Sequence, residues 1–136
     1  MNPQTRRNLV QAMRGEAFAY LKYTLFAKQA RENGREALAV LYEKTADTER
    51  LEHFVEEAEL AWLVGSDEEN LRNAIRSENN EIDKMYREFA DQALAVGEDD
   101  AAARFAEVGQ DEMGHRDAFI AALEKLEAEL AVPAGK

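Results

Sequence analysis

The chain has 136 residues, 46% apolar and 33% charged, enough for one compact core and too few for a second catalytic domain. It contains no cysteine, which excludes disulfide frameworks, zinc–thiolate knuckles, iron–sulfur clusters and thiol nucleophiles. Seventeen basic against 28 acidic residues leave a net charge of −11, so nucleic acid and anionic membranes are repelled and cations are the expected partners.

Pro3 and Pro133 lie at the two ends, where one can start a helix and the other stop one. Between them Gly34, Gly65 and Gly97 recur 31 and 32 residues apart among polar turn residues. The spacing predicts four helices, near 3–32, 35–64, 67–96 and 99–130, each roughly 45 Å long. These are the proportions of an all-α four-helix bundle occupying 1–136 as a single domain. Ser66-Asp67-Glu68-Glu69 reads as a capping box at the start of the third helix. No apolar run near the N-terminus suits a signal peptide or a membrane span, so a cytoplasmic protein is expected.

At 100° per residue each helix shows an apolar stripe that also carries acid. In the first, Glu16 lies among Leu9, Met13, Tyr20, Tyr23 and Ala27. In the second, Glu49 and Glu52 interrupt Leu38, Leu41, Tyr42 and Leu60. Glu78 and Glu81 share the third stripe with Ile75, Ile82 and Met85, and Glu112 and His115 share the fourth with Phe105, Phe119 and Leu123. The first two helices carry a second strip as well, Phe18, Leu21 and Leu25 on one and Leu51, Val55 and Trp62 on the other, which reads as a subunit interface.

Carboxylates gathered in a core cost several kcal/mol each unless something positive sits among them. Few lysines or arginines fall on these stripes, so two divalent ions are the expected counter-charge, and oxygen donors with imidazole suit iron or manganese. Glu16 to Glu49 spans 33 residues and Glu78 to Glu112 spans 34, so the first helix pair echoes the second. In Glu112-Met113-Gly114-His115 the acid and the imidazole project side by side, as in di-iron carboxylate bundles.

Four stretches, 15–23 (GEAFAYLKY), 45–49 (TADTE), 78–86 (ENNEIDKMY) and 111–115 (DEMGH), resemble the rubrerythrins of the ferritin-like superfamily, with the likeness running from about Leu9 to Leu126. The resemblance implies that Glu16, Glu49, Glu78, Glu81, Glu112 and His115 bind metal, Glu49 and Glu112 as bridges, with the phenols of Tyr23 and Tyr86 beside the ions. It also implies a pair of iron ions that reduces hydrogen peroxide, or less efficiently dioxygen, with ferroxidase capability.

The sequence departs from the family twice. Where the second helix of a rubrerythrin would carry the histidine of its Glu-x-x-His, this chain has Glu52, followed by His53. Residues three and four beyond Glu49 lie about 60° and 40° to either side of it, so helical geometry leaves both open. Register with the family favours Glu52 as the seventh ligand and leaves His53 an ordinary, partly exposed histidine. The chain also has no cysteine-ligated rubredoxin domain, so an external electron donor is expected.

In the ferritin-like arrangement the second and third helices run parallel, which requires a connection of some 40 Å. Residues 65–70 reach about 20 Å when extended. Either those helices form an antiparallel hairpin, or a domain-swapped homodimer completes each bundle and shares its metal sites, the arrangement expected here. Two other readings are an iron- or manganese-sequestering protein without turnover and a metal-free helical interaction module.

Overall fold

The computed structural model describes residues 1–131, and the helix stop expected at Pro133 lies outside them. The described residues form helices and turns, with no strand among them. They divide into two compact units, residues 1–64 and residues from 65 onward, each a helical hairpin.

The first hairpin opens with α1 (Pro3–Glu32), whose first turn is capped by Asn2: its side-chain oxygen accepts the Gln4 N–H at 2.8 Å. The return rod is α2 (Glu36–Thr48), a π-helical turn π1 (Glu49–His53) and α3 (Phe54–Leu60), with right-handed helical dihedrals throughout. Met13 of α1 is buried, and so are Ala27 and Ala30 of α1 with Ala39 and Ala46 of α2, alanines whose small side chains let two helices approach closely. Arg31 ties the closed end by ion pairs to Glu36 (3.1 Å) and Glu43 (2.7 Å). Tyr23, Phe26 and Tyr42 cluster nearby, with Tyr23 and Tyr42 stacked at 6.1 Å.

The second hairpin repeats this plan with α4 (Asp67–Asn80), a second π turn π2 (Glu81–Tyr86), α5 (Arg87–Ala95) and α6 (Asp99–Ala131). Its buried residues are Ile82, Ala93, Ala102 and Leu123, and its aromatic cluster is Tyr86, Phe89 and Phe105. The capping box at Ser66 forms: Ser66 Oγ accepts the Glu69 N–H at 3.2 Å and Glu69 returns a carboxylate to the Ser66 N–H at 2.8 Å. Among the described residues no helix is long and apolar enough to cross a membrane.

Three helix ends match the expected boundaries within one residue, but the second rod stops at Leu60, short of 64. The helices α1, α3 and α5 end with the same backbone device. At Gly34 (φ +71°) and Gly97 (φ +76°) a left-handed residue lets the next N–H reach back five residues, Arg35 to Ala30 and Glu98 to Ala93, both at 2.9 Å. At the end of α3 Leu63 reaches Ala58 in the same way, and the left-handed residue is Trp62 (φ +51°), not a glycine.

Gly65 has a different role. A Cβ there would meet Glu69 Oε2 at 2.5 Å, so the missing side chain makes room for the capping box. An L-residue in the left-handed region costs roughly 1–2 kcal/mol that glycine does not incur. Trp62 is 75% exposed and has little packing to lose. Trp62→Gly is therefore expected to raise stability by about 1 kcal/mol, read as a higher urea midpoint followed by circular dichroism.

Candidate metal centre

Each hairpin gathers one trio of possible metal ligands, with a ligand atom from every member lying within 4.8 Å of the others. In the first, Glu16 of α1 faces Glu49 and His53 of π1. In the second, Glu78 of α4 faces Glu112 and His115 of α6. His53 Nδ1 lies 2.7 Å from Glu49 Oε2 and 3.8 Å from Glu16, and His115 Nδ1 lies 2.7 Å from Glu112 Oε2. The Glu49 and Glu112 side chains are only 15% and 16% exposed, while the histidines reach solvent.

The π turn decides which neighbour joins Glu49. The Phe54 N–H bonds the Glu49 carbonyl, a reach of five residues, so this turn holds more residues than an α turn. Widening carries residue four back over Glu49 and swings residue three away. His53 meets the acid, and Glu52 is exposed and outside both trios. On regular α6 the same face takes an acid and a histidine three apart, so two different spacings give equivalent trios.

Glu81 is half-buried and outside the trios, but its charge reaches both Glu78 and Tyr86. Tyr86 is half-buried against Phe89 and Phe105, opposite Gly109, where a Cβ would touch it at 3.4 Å. Tyr23 is half-buried in the matching aromatic cluster. Glu57, one helical turn beyond His53, also bears on the site: one of its carboxylate oxygens is buried without a hydrogen-bond partner, and its charge reaches Glu16. Sequence periodicity gave no reason to single out Glu57, which requires the widened turn to be known.

The electrostatics of the trios call for a cation. Glu16 is held above the ordinary carboxylate range, first by its hydrogen bond to Glu49 and then by burial. Glu49 is held below that range, chiefly by the same bond and by His53. Glu78 is raised by burial and then by its hydrogen bond to Glu112. Both histidines are raised by their carboxylate partners. The upward shifts of Glu16 and Glu78 reflect the crowding of like charges, which a divalent ion bound by two carboxylates and an imidazole would relieve. The residues present thus suit iron or manganese.

A model of the rubrerythrin family matches residues 47–123, a span that includes every trio member except Glu16. A rubrerythrin of Porphyromonas gingivalis is 34% identical, the alignment covering 91% of this chain and 68% of that protein. A putative rubrerythrin of Methanocaldococcus jannaschii (31% identical; 91% and 71% covered) and a nigerythrin of Nitratidesulfovibrio vulgaris (32%; 91% and 68%) are similar at the same level. The chain belongs to the rubrerythrin family. The family binds a di-iron centre and carries oxidoreductase chemistry in general terms, and its all-α ferritin-like class agrees with the four long helical rods seen here.

Because protons compete with metal for these raised groups, uptake of Mn²⁺ is expected to tighten as pH rises from the carboxylate range to neutrality. The sign follows from the raised groups, Glu16, Glu78, His53 and His115, which bind protons at low pH in competition with the ion. Mn²⁺ titrations at several pH values check this, and a pH-independent affinity would contradict it.

Proposed function

We propose that the two trios hold a pair of iron ions and that the protein reduces hydrogen peroxide there, with dioxygen a slower oxidant and an external donor returning the electrons. The observation that supports this reading best is the pair of Glu/Glu/His groups, one per hairpin, each with a carboxyl held above the ordinary carboxylate range. Manganese or a mixed pair is the alternative metal content. When bound, a pair of ferrous ions would supply the two electrons that, with two protons, convert hydrogen peroxide to two waters, each ion becoming ferric.

The protein's own groups then have separable roles. Glu16, Glu49 and His53 would hold one ion and Glu78, Glu112 and His115 the other, with Glu49 and Glu112 the carboxylates that the family resemblance makes shared between them. Glu81 is a further ligand from the start of π2. Family register offers Glu52 in place of His53. The Tyr86 phenol, whose pKa is raised by burial and then by the charges of Glu81 and Glu112, would donate a hydrogen bond to the oxidant, and the Tyr23 phenol would be its counterpart in the first hairpin.

A shared centre requires the two trios to face each other. The connection between Leu60 and Asp67 is too short to run the length of a bundle, which favours exchange of hairpins between two copies of the chain. The expected setting is the cytoplasm.

Metal content of the purified protein, near-ultraviolet absorbance before and after peroxide, and peroxide consumption with excess reductant test the reading. Two iron ions per chain with repeated turnover are expected. Oxidation that halts after one equivalent of peroxide would favour ferroxidase or sequestering behaviour, and a protein that binds no metal would leave only a helical module.

A further inference from the structure

Tyr23 lies seven residues after Glu16 on α1, and Tyr42 lies seven residues before Glu49 on α2. Seven residues are two helical turns, so the two phenols continue the faces that carry the first trio and form a layer about 10 Å further along the hairpin. Their rings are stacked, with centroids 6.1 Å apart and planes 19° from parallel. Both side chains are half-buried.

The second hairpin has the same layer with different chemistry. Phe105 lies seven residues before Glu112, as Tyr42 does before Glu49, and Tyr86 lies eight after Glu78 because π2 adds one residue to its turn. Tyr86 and Phe105 pack at 6.4 Å. A phenyl ring therefore satisfies the packing at this level, and what Tyr42 adds is a hydroxyl. A phenol, unlike a phenyl ring, can give up an electron and a proton together.

Of the chain's four tyrosines, Tyr23 and Tyr42 are the two that stand ring to ring. Tyr20 is covered by the Arg50 guanidinium at 5.3 Å. The Lys22 ammonium stands 5.0 Å over Tyr23, where it disfavours removal of an electron from that ring, and among the described residues no cation lies over Tyr42. The electron most easily drawn from the pair is therefore that of Tyr42.

We propose that Tyr42, with Tyr23, is a reserve source of electrons for peroxide when the external donor is exhausted, and that the two phenols then join as a dityrosine. This rests on the reading that peroxide is reduced at the trios. Tyr42 loses one electron and its hydroxyl proton first, and Tyr23 follows. The unpaired electron of each ring spreads onto the carbons beside the hydroxyl, and one such Cε of each ring forms the new bond. The hydrogen on each bonded carbon then moves to its own oxygen. The two electrons and two protons released convert one hydrogen peroxide to two waters, and oxidation ends two turns away from the carboxylates and imidazole of the trio.

The test treats the iron-loaded natural chain with hydrogen peroxide in the absence of reductant. Digestion and mass spectrometry are expected to find residues 23 and 42 of one chain joined, short by two hydrogens, with the blue fluorescence of dityrosine, and Tyr86 unlinked. Tyr42→Phe should lose the link and the fluorescence while keeping its helicity and its steady peroxide turnover with excess donor, since Phe105 shows that a phenyl ring fits this layer. Peroxide alone should not link the metal-free chain, whereas a ruthenium photo-oxidant, which takes single electrons from phenols directly, should.

An iron-loaded chain that turns over peroxide but forms no link, or a link that persists in Tyr42→Phe, would overturn this proposal and leave the metal assignment intact. Absence of the link under light would overturn the pairing of the phenols whatever the metal content. A chain that links under light but binds no iron would instead overturn the metal assignment and, with it, the role in peroxide reduction.

Discussion

Glu112→Ala is expected to abolish metal loading and, with it, the absorbance change on adding peroxide. Glu112 holds His115 at 2.7 Å and shares a hydrogen bond with Glu78, so its removal leaves one carboxyl and an unanchored imidazole. Loss of a residue that merely orients a ligand typically costs 10–100-fold in metal affinity, and loss of a shared carboxylate should exceed about 100-fold. Peroxide turnover should fall with it.

The fold should survive this change. Deleting one of two crowded carboxylates relieves repulsion in the metal-free protein, so its melting temperature is expected to hold or rise while metal-dependent stabilisation disappears. Elemental analysis and thermal melts with and without Fe²⁺ read both effects together. A variant that still loads two ions per chain would mean that the ligand set is misassigned.

The second large effect is a contrast between adjacent residues. His53→Ala is expected to reduce metal content from two ions per chain toward one and to weaken the first site by at least about tenfold, whereas Glu52→Ala should change neither appreciably. The reason is the π turn: it places His53 Nδ1 2.7 Å from Glu49 and leaves Glu52 in solvent. A chelator competition titration of both variants makes the comparison. A greater loss from Glu52→Ala would show that register with other rubrerythrins, not the widened turn, selects the ligand.

This contrast also marks where sequence reading stops. Heptad and 100° arithmetic assume a uniform α-helix, and one inserted residue per turn shifts the face of everything that follows. The rule therefore held for Glu112 and His115, which sit on unbroken α6, and left two answers open at Glu49. Trp62 is a similar case. Glycines at 34 and 97 announced the ends of their helices, but α3 ends on a tryptophan in a conformation that composition does not predict.

The amino-acid order alone determined the all-α class, three of the four helix spans, the capping box at Ser66 and the acids Glu16, Glu49, Glu78 and Glu112, because each follows from local periodicity or from a cap built within four residues. Only the tertiary structure decided that His53 stands beside Glu49, that Glu57 has a buried oxygen without a partner, and that Gly109 faces Tyr86. Those facts depend on how two helices lie against each other and on a backbone hydrogen bond that skips one residue, and neither is encoded in the spacing of residue types along a single helix.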